Sequence, residues 1–438
     1  MTAEVCVMNK LGVALATDSA VTLGRAEAPK IYQSADKLFL MSTADPVAAM
    51  VYGDVSFLGV PWETIIKRYR RLCGNRSHPT VEKHAEAFFE FLENDPILFP
   101  EARQVAWLRI NVRGVFWEVH TRFKERLENE FNEQDSLDDR ELARILKSVA
   151  RSFLEEVREA EESAGLPPDY AKIIRATYED DIESEINQVF EKFPLGEETR
   201  SGFHELAGEC FARAVGPTNT GLVVAGFGAD EVFPALIEVF PQTLAAGKLR
   251  HKKGRHVKCS DEFESFVVAF AQQEMVQAFM GGIDPGLRDF ALSSLQDVFA
   301  ALPDVCVKAI PELRNQNADS FKQGLGKYMQ DMRQMLLDRW ESYQRKYLSG
   351  PVMDVVSVLP KDELASMAES LVSLTVLRRR STTEAETVGG PIDVAVITKG
   401  DGFVWIKRKH YFDAHLNPRY LARLNPEERY AERAQEGF

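Results

Sequence analysis

Residues 2–24 read TAEVCVMNKLGVALATDSAVTLG, and the architecture follows from this stretch. Two apolar runs, VCVM and GVALAT, flank the turn residues Asn9 and Lys10, a pattern that predicts a β-hairpin. Such a hairpin brings its two ends together, and these ends carry a hydroxyl group at Thr2 and a carboxylate at Asp18. The spacing therefore predicts that the two side chains share one site.

The composition is that of an ordinary globular protein. Of the 438 residues, 45% are hydrophobic and 27% are charged, which argues against long disorder and against a membrane protein. No uninterrupted apolar run approaches the ~20 residues that span a bilayer. The net charge of −14 opposes a general affinity for nucleic acid. We therefore expect neither a nucleic-acid nor a membrane partner.

The N-terminal sequence and the cysteines favour a cytoplasmic protein. The opening MTAEVCVMNKLG lacks the basic head and apolar stretch of a secretory signal. The five cysteines form no CxxC pair, so neither a disulfide framework nor a zinc ribbon is expected. The sequence also contains no GxxxxGK[ST] phosphate loop, and we expect neither a metal nor a cofactor.

Strand-like and helical patterns alternate along the chain. Strands are predicted at 5–8, 12–17, 37–41, 47–52, 221–226, 233–240, 266–270, 392–398 and 402–407. Core helices are predicted at 57–72, 80–92, 272–281 and 361–377. The basic run KLRHKKGRHVK is expected to form a solvated hairpin.

Two long helical blocks interrupt the strands, and they divide the sequence into six parts. The predicted parts are a first piece of core at 1–95, a helical insertion at 96–217, core again at 218–283, a second helical insertion at 284–360, core at 361–418 and a polar tail at 419–438. Amphipathic stripes, including Phe116, Phe123, Tyr328 and Trp340, predict that the insertions pack on each other or on neighbouring subunits.

The motifs resemble those of proteasome-type N-terminal nucleophile hydrolases. Members of that family have a mature N-terminal threonine followed sixteen residues on by aspartate in a D-S-x-x-T segment, and Thr2, Asp18 and Thr22 stand at those positions here. Lys30 with Ile31 resembles the family's lysine-led strand, although Lys37 is a rival for that role. The resemblance implies an α+β fold, a four-layer αββα sandwich with added helical insertions.

The resemblance also implies roles for these residues. Thr2 would be the nucleophile after removal of Met1, and its free α-amine would be the base. Lys30 would be a buried ammonium group beside Asp18, the backbone N–H of Gly53 would bind the oxyanion, and Thr22 would bind an extended substrate.

The accessory groups that support the amine in the family differ here. Gln272 or Ser265 stands near the first expected serine. Val388 and Ala385 occupy the positions of the second serine and its aspartate, and Glu384 or Glu386 is a candidate substitute.

These features imply a threonine-type peptidase that acts on a peptide or protein substrate as a homo-oligomer, with an unfoldase partner that the sequence does not identify. Two alternatives stay open. One is an amidase or acylase acting on a small substrate, since a fold does not fix a function. The other is an inactive scaffold that binds a partner through its helical insertions.

Overall fold

The computed structural model describes residues 2–23, 30–130, 138–191, 193, 195–216, 219–310, 318–382, 388–410, 412–413 and 416–418, and the side chains of Thr22, Leu23 and Glu130 lie outside that description. The chain divides into two compact units. The first unit comprises residues 1–36, 264–396 and 404–438, and the second comprises 37–263 and 397–403. The predicted tail at 419–438 lies outside the described residues.

The described strands are, in chain order, β1 (Ala3–Asn9), β2 (Gly12–Thr17), β3 (Val21–Leu23), β4 (Lys30–Tyr32), β5 (Leu38–Leu40), β6 (Val47–Gly53), β7 (Ser56–Phe57), β8 (Val60–Pro61), β9 (Thr220–Gly226), β10 (Ala235–Ala245), β11 (Lys248–Lys258), β12 (Ser265–Ala271), β13 (Asp393–Thr398) and β14 (Gly402–Lys407).

The described helices are α1 (Trp62–Cys73), α2 (Val81–Asn94), α3 (Glu101–Glu130), α4 (Asp139–Glu159), α5 (Tyr170–Thr177), α6 (Glu179–Val189), α7 (Glu197–Ala212), α8 (Glu274–Gly281), α9 (Pro285–Ala309), α10 (Ala318–Gln344), α11 (Gly350–Val358) and α12 (Lys361–Arg380). A π-helical turn, Arg345–Ser349, joins α10 to α11.

The first unit is built on a five-stranded sheet of order β12-β1-β2-β13-β14. Strand β1 runs antiparallel to both β12 and β2 and is buried along its whole length. Its odd-numbered residues, such as Val5 and Val7, share one hydrophobic cluster with α12, which contributes Leu364, Ala368 and Leu371. Because side chains alternate along a strand, the even-numbered residues of β1 point to the opposite face.

The second unit is built on another antiparallel sheet, of order β11-β10-β9-β6-β5. Helices α1 and α2 pack on it through one hydrophobic cluster. The helices contribute Ile65, Ile66 and Phe88 to that cluster, and strand β6 contributes Val47, Ala49 and Val51. Because side chains alternate between the two faces of a strand, the odd-numbered residues of β6 face the two helices.

The basic run at 248–258 is a single strand, β11, paired along its length with β10. The run is thus the second strand of a β10–β11 hairpin. The turn lies before it, at Ala246 and Gly247, both of which have positive φ. Pairing with β10 satisfies backbone hydrogen-bonding groups of this strand.

The segment 96–217 contains helices α3 to α7, which enclose a core of their own. Phe116 and Phe123 are buried there with Phe190 and Phe203. The rings of Phe190 and Phe203 stack with centroids 4.6 Å apart. The apolar stripe of α3 is therefore covered within this segment.

The segment 284–360 is different, because the apolar side chains of α9 and α10 are almost all exposed or only partly buried. In α9 the buried residue is Pro303, and α10 has no buried residue in the part of the chain that is described. Tyr328 is 58% exposed. By length and composition alone, α9 could cross a membrane. Its most apolar 18-residue stretch has a mean hydropathy of 1.3, and 6% of that stretch is buried. Asp289, Asp297 and Asp304 interrupt its apolar sequence.

The described residues thus form a mixed α+β structure with two five-stranded sheets and two two-stranded ones, β3–β4 and β7–β8, and the α+β class is the one that the sequence predicted at this coarse level. Both five-stranded sheets contain the strands that the sequence analysis assigned to the core. The four-layer αββα stacking and the status of the two helical segments as insertions stay predictions.

Candidate active site

Thr2 and Asp18 meet at the open end of the β1–β2 hairpin. The Thr2 hydroxyl donates a hydrogen bond to Asp18 Oδ1 at 2.6 Å. The two residues are 3% and 0% exposed. The strand pairing places Glu4 opposite Thr17. It extends one residue further, where Asp18 N donates a hydrogen bond of 3.1 Å to Ala3 O. Local strand pairing therefore brings the two groups together.

Backbone donors hold the Asp18 carboxylate. Its Oδ1 also accepts from Ala3 N at 3.1 Å. Its Oδ2 accepts from Gly389 N at 2.9 Å and from Ala20 N at 3.3 Å. Three backbone N–H groups thus fix the carboxylate in the orientation that receives the Thr2 hydroxyl.

A second carboxylate lies beside the Thr2 hydroxyl. Glu4 is 1% exposed, and its Oε1 lies 3.5 Å from Thr2 Oγ1 and 3.2 Å from Thr17 Oγ1. Glu4 was not among the site residues predicted from the sequence. The signal was an ionisable residue inside an otherwise apolar strand, two positions from Thr2 and therefore on the same face.

Of the two residues considered for support of the amine, Gln272 lies next to Thr2. Its backbone N–H donates to Thr2 O at 3.4 Å, and its side-chain Oε1 accepts from Arg379 Nε at 2.6 Å. Ser265 pairs with Asn9 at the far end of β1. The antiparallel register of β12 thus separates the two candidates.

The segment before β13 reaches the site through its backbone. Gly389 donates to Asp18, and its carbonyl accepts from Ser19 N at 3.1 Å. Val388 is 1% exposed and belongs to the hydrophobic core under the sheet. Ala385, Glu384 and Glu386 lie outside the described residues.

The two candidate lysines differ in burial. Lys30 is the first residue of β4, stands opposite Leu23 and is exposed. This exposure does not match the buried ammonium group that the sequence analysis expected. Lys37 belongs to the second unit and is 5% exposed.

Thr22 stands opposite Ile31 in the two-stranded β3–β4 sheet, and its side chain lies outside the description.

Gly53 ends β6 in the second unit, opposite Thr220. Its φ is +86°, and a Cβ atom there would lie 1.8 Å from Asn219 O, so the position requires glycine. Burial raises the pKa of the neighbouring Asp54, and a hydrogen bond with the Asn219 side chain opposes that rise. The oxyanion role of Gly53 stays a prediction.

No protein-family model and no curated protein matches the chain. Two solved structures of Anbu from Hyphomicrobium sp. strain MC1 are similar to it. The Gly-1 mutant is 11% identical, covers 100% of this chain and 98% of its own, and has a TM-score of 0.28. The other is 11% identical, covers 98% and 97%, and has a TM-score of 0.27. Anbu is a bacterial proteasome-like protein.

Proposed function

We propose that this chain is a threonine-type amide hydrolase of the N-terminal nucleophile kind, with Thr2 as the nucleophile after Met1 is removed. The observation that carries the proposal is the hydrogen bond of 2.6 Å from the Thr2 hydroxyl to the buried Asp18 carboxylate. A threonine with a free α-amine and an oriented hydroxyl combines nucleophile and base in one residue.

In the proposed reaction, Thr2 Oγ attacks the carbonyl carbon of an amide. The hydroxyl proton leaves as the new C–O bond forms, and it is delivered to the amine that departs when the C–N bond breaks. The product of this step is an ester on Thr2. Water then hydrolyses the ester and restores the hydroxyl group.

A buried cation would strengthen such a site electrostatically. Lys37 meets the burial requirement at 5% exposure, and Lys30, which is exposed, does not. Burial does not place either side chain beside Asp18, so Lys30 and Lys37 both stay candidates for the lysine role, and Gly53 is retained as the proposed oxyanion donor. Substitution of each lysine separately decides between them.

The proposed substrate is a peptide or protein, bound as an added strand beside Thr22, and the proposed working form is a homo-oligomer. Strand addition uses main-chain hydrogen bonds and so tolerates varied side chains. An amidase acting on a small substrate would hydrolyse acyl amides at least as well as peptides of several residues, so comparing the two substrate classes separates these activities.

The test begins with the intact mass of the purified protein, which reports whether Met1 is removed. The protein is then incubated with a peptide β-lactone, which acylates an activated hydroxyl. Acylation mapped to Thr2 and lost in Thr2→Ala, with an unchanged circular-dichroism melt, is the expected result. Acylation that persists in Thr2→Ala would remove Thr2 from the active site.

A second candidate is a catalytically silent scaffold. The observation that favours it is the burial of Thr2, which is 3% exposed. A retained Met1, together with a failure of the β-lactone to modify Thr2, would support the scaffold function and contradict the hydrolase function.

A further inference from the structure

Arg250 is a buried cation in the second unit. It lies on β11 and is 9% exposed. Burial lowers the pKa of Arg250 to about 10, which still leaves the guanidinium group charged at neutral pH. A buried charge is costly unless other groups compensate for its lost hydration. The contacts of this side chain therefore show whether the charge is compensated within the chain.

The described acceptors of the guanidinium group are neutral oxygens. Nε donates to Gln242 Oε1 at 3.0 Å, Nη2 donates to Val215 O at 2.6 Å, and Nη1 donates to Cys210 O. Each terminal nitrogen carries two hydrogens, so one hydrogen on each has no acceptor in the part of the chain that is described. The side chain is thus held in place but keeps a charge and two donors for a further partner.

The guanidinium group lies in the wall of a cavity of about 660 Å³. Arg250 lines this cavity, and so do all three residues that accept its hydrogen bonds. Small-molecule sites in proteins typically have volumes of roughly 300–1,000 Å³. The cavity is therefore large enough for a small organic ligand.

Aromatic rings form much of the remaining wall. They belong to four residues on four different elements, namely Phe57 of β7, Trp107 of α3, Phe153 of α4 and Phe211 of α7. The centroid of the Phe211 ring lies 5.8 Å from Arg250 Cζ. Apolar groups gain free energy by leaving water for such surroundings. The cavity thus combines one cation with an apolar wall.

The carboxylates that line the cavity have other partners. Glu118 and Glu156 both accept hydrogen bonds from Arg122. Burial raises the pKa of Asp54, and its side chain is hydrogen-bonded to Asn219. None of these three lining carboxylates is paired with Arg250, so the compensating charge is left to a ligand.

We propose that this cavity binds a small organic acid, with its carboxylate on Arg250 and its apolar body against the aromatic wall. A guanidinium group can donate two parallel hydrogen bonds to one carboxylate, a match that favours arginine at such sites. The ligand supplies the negative charge that the described residues do not. The site lies wholly within the second unit and is independent of the function proposed for Thr2.

The experiment measures the binding of 4-phenylbutyrate to the purified full-length protein by isothermal titration calorimetry. We expect saturable binding with one ligand per chain. Two analogues separate the parts of the ligand, since 4-phenylbutyramide lacks the charge and acetate lacks the apolar body. Each should bind at least ~10-fold more weakly, the size expected for losing a hydrogen bond to a charged group or the burial of a phenyl ring.

Two variants test the position of the site, each with a matched control. Arg250→Gln removes the charge and should weaken binding at least ~10-fold. Its control is Arg151→Gln, at a side chain that is 75% exposed. Gly114 lines the cavity on α3, and no atom lies within 4 Å of an added Cβ, so Gly114→Phe should fill ligand space without disturbing the fold. Its control is Gly324→Phe, at an equally open glycine of α10.

Loss of binding in Arg250→Gln and in Gly114→Phe, with binding kept in both controls, supports the site. Equal affinity for 4-phenylbutyrate and 4-phenylbutyramide would overturn the role of the Arg250 charge. Undiminished binding in Gly114→Phe would exclude this cavity, and no binding of 4-phenylbutyrate to the wild type would overturn the whole proposal. If Arg250→Gln does not fold, the two analogues and Gly114→Phe decide.

Discussion

The backbone N–H of Gly389 donates a hydrogen bond of 2.9 Å to Asp18 Oδ2, although 371 residues separate the two in the chain. The contact ties the start of the first unit to the segment before β13. It means that the orientation of Asp18, and through it that of the Thr2 hydroxyl, depends on segments that are far apart in sequence.

Asp18→Asn should therefore damage both stability and activity. All four described donors to Asp18 point a hydrogen at its oxygens, so either orientation of an asparagine amide places NH2 against a donor. We expect a loss of about 1–3 kcal/mol in the free energy of unfolding and at least ~100-fold in activity. Urea unfolding and peptide hydrolysis measure the two effects. Wild-type stability in Asp18→Asn would contradict this account of the site.

The lysine role is tested by Lys37→Ala and Lys30→Ala. Replacing the lysine that supplies positive charge at the site should lower activity at least ~100-fold, and replacing the other lysine should have little effect. Hydrolysis of a peptide amide by each variant is the measurement. Unchanged activity in both variants would remove the lysine role from the proposed mechanism.

Gly53→Ala should destabilise the protein. The positive φ of +86° and the overlap with Asn219 O at 1.8 Å leave no room for a Cβ atom. We expect a loss of about 1–3 kcal/mol in the free energy of unfolding. Gly400→Ala is the control, since no atom lies within 4 Å of its added Cβ, and it should stay within ~0.5 kcal/mol of wild type. Equal effects of the two changes would be inconsistent with the strain described for Gly53.

Stability should fall as the pH falls below about 6.5. Burial lowers the pKa of His84, His120 and His251 below the ordinary value of 6.5. The unfolded chain then takes up protons that the folded chain does not, so the stabilisation is present above the unfolded pKa and is lost on acidification. Each such group contributes up to about 1.4 kcal/mol per pH unit. His251→Gln should flatten this slope in urea unfolding between pH ~7.5 and ~5.5, a window that brackets the ordinary histidine pKa, and an unchanged slope would contradict the prediction.

The exposed face of α9 is expected to form a contact between copies of the chain. Leu287, Phe290, Val298 and Val305 are 57%, 68%, 58% and 54% exposed. At 3.6 residues per turn they lie on one side of the helix. Phe290→Lys and Val298→Lys should lower the mass measured by light scattering. Val232→Lys, at a valine that is 75% exposed in the second unit, is the control. An assembly mass unchanged by Phe290→Lys and by Val298→Lys would remove this face from the oligomer.

The first hairpin was predictable from sequence because its information is local. Alternating apolar residues and a polar turn define β1 and β2, and their register alone brings Thr2 to Asp18. The contrast between the two helical segments was not predictable, because similar apolar stripes occur in both. Phe116 is buried among Phe190 and Phe203, whereas Tyr328 remains exposed.

Local sequence was enough for the α+β class, the strand pairs and the meeting of Thr2 with Asp18, since strand alternation and turn chemistry act over a few residues. Tertiary packing was needed to show that Gly389 holds Asp18, that Gln272 rather than Ser265 lies beside Thr2, and that Lys30 is exposed. These outcomes depend on which distant segments pack together, and burial is a property of that packing rather than of the residues near each position in the chain.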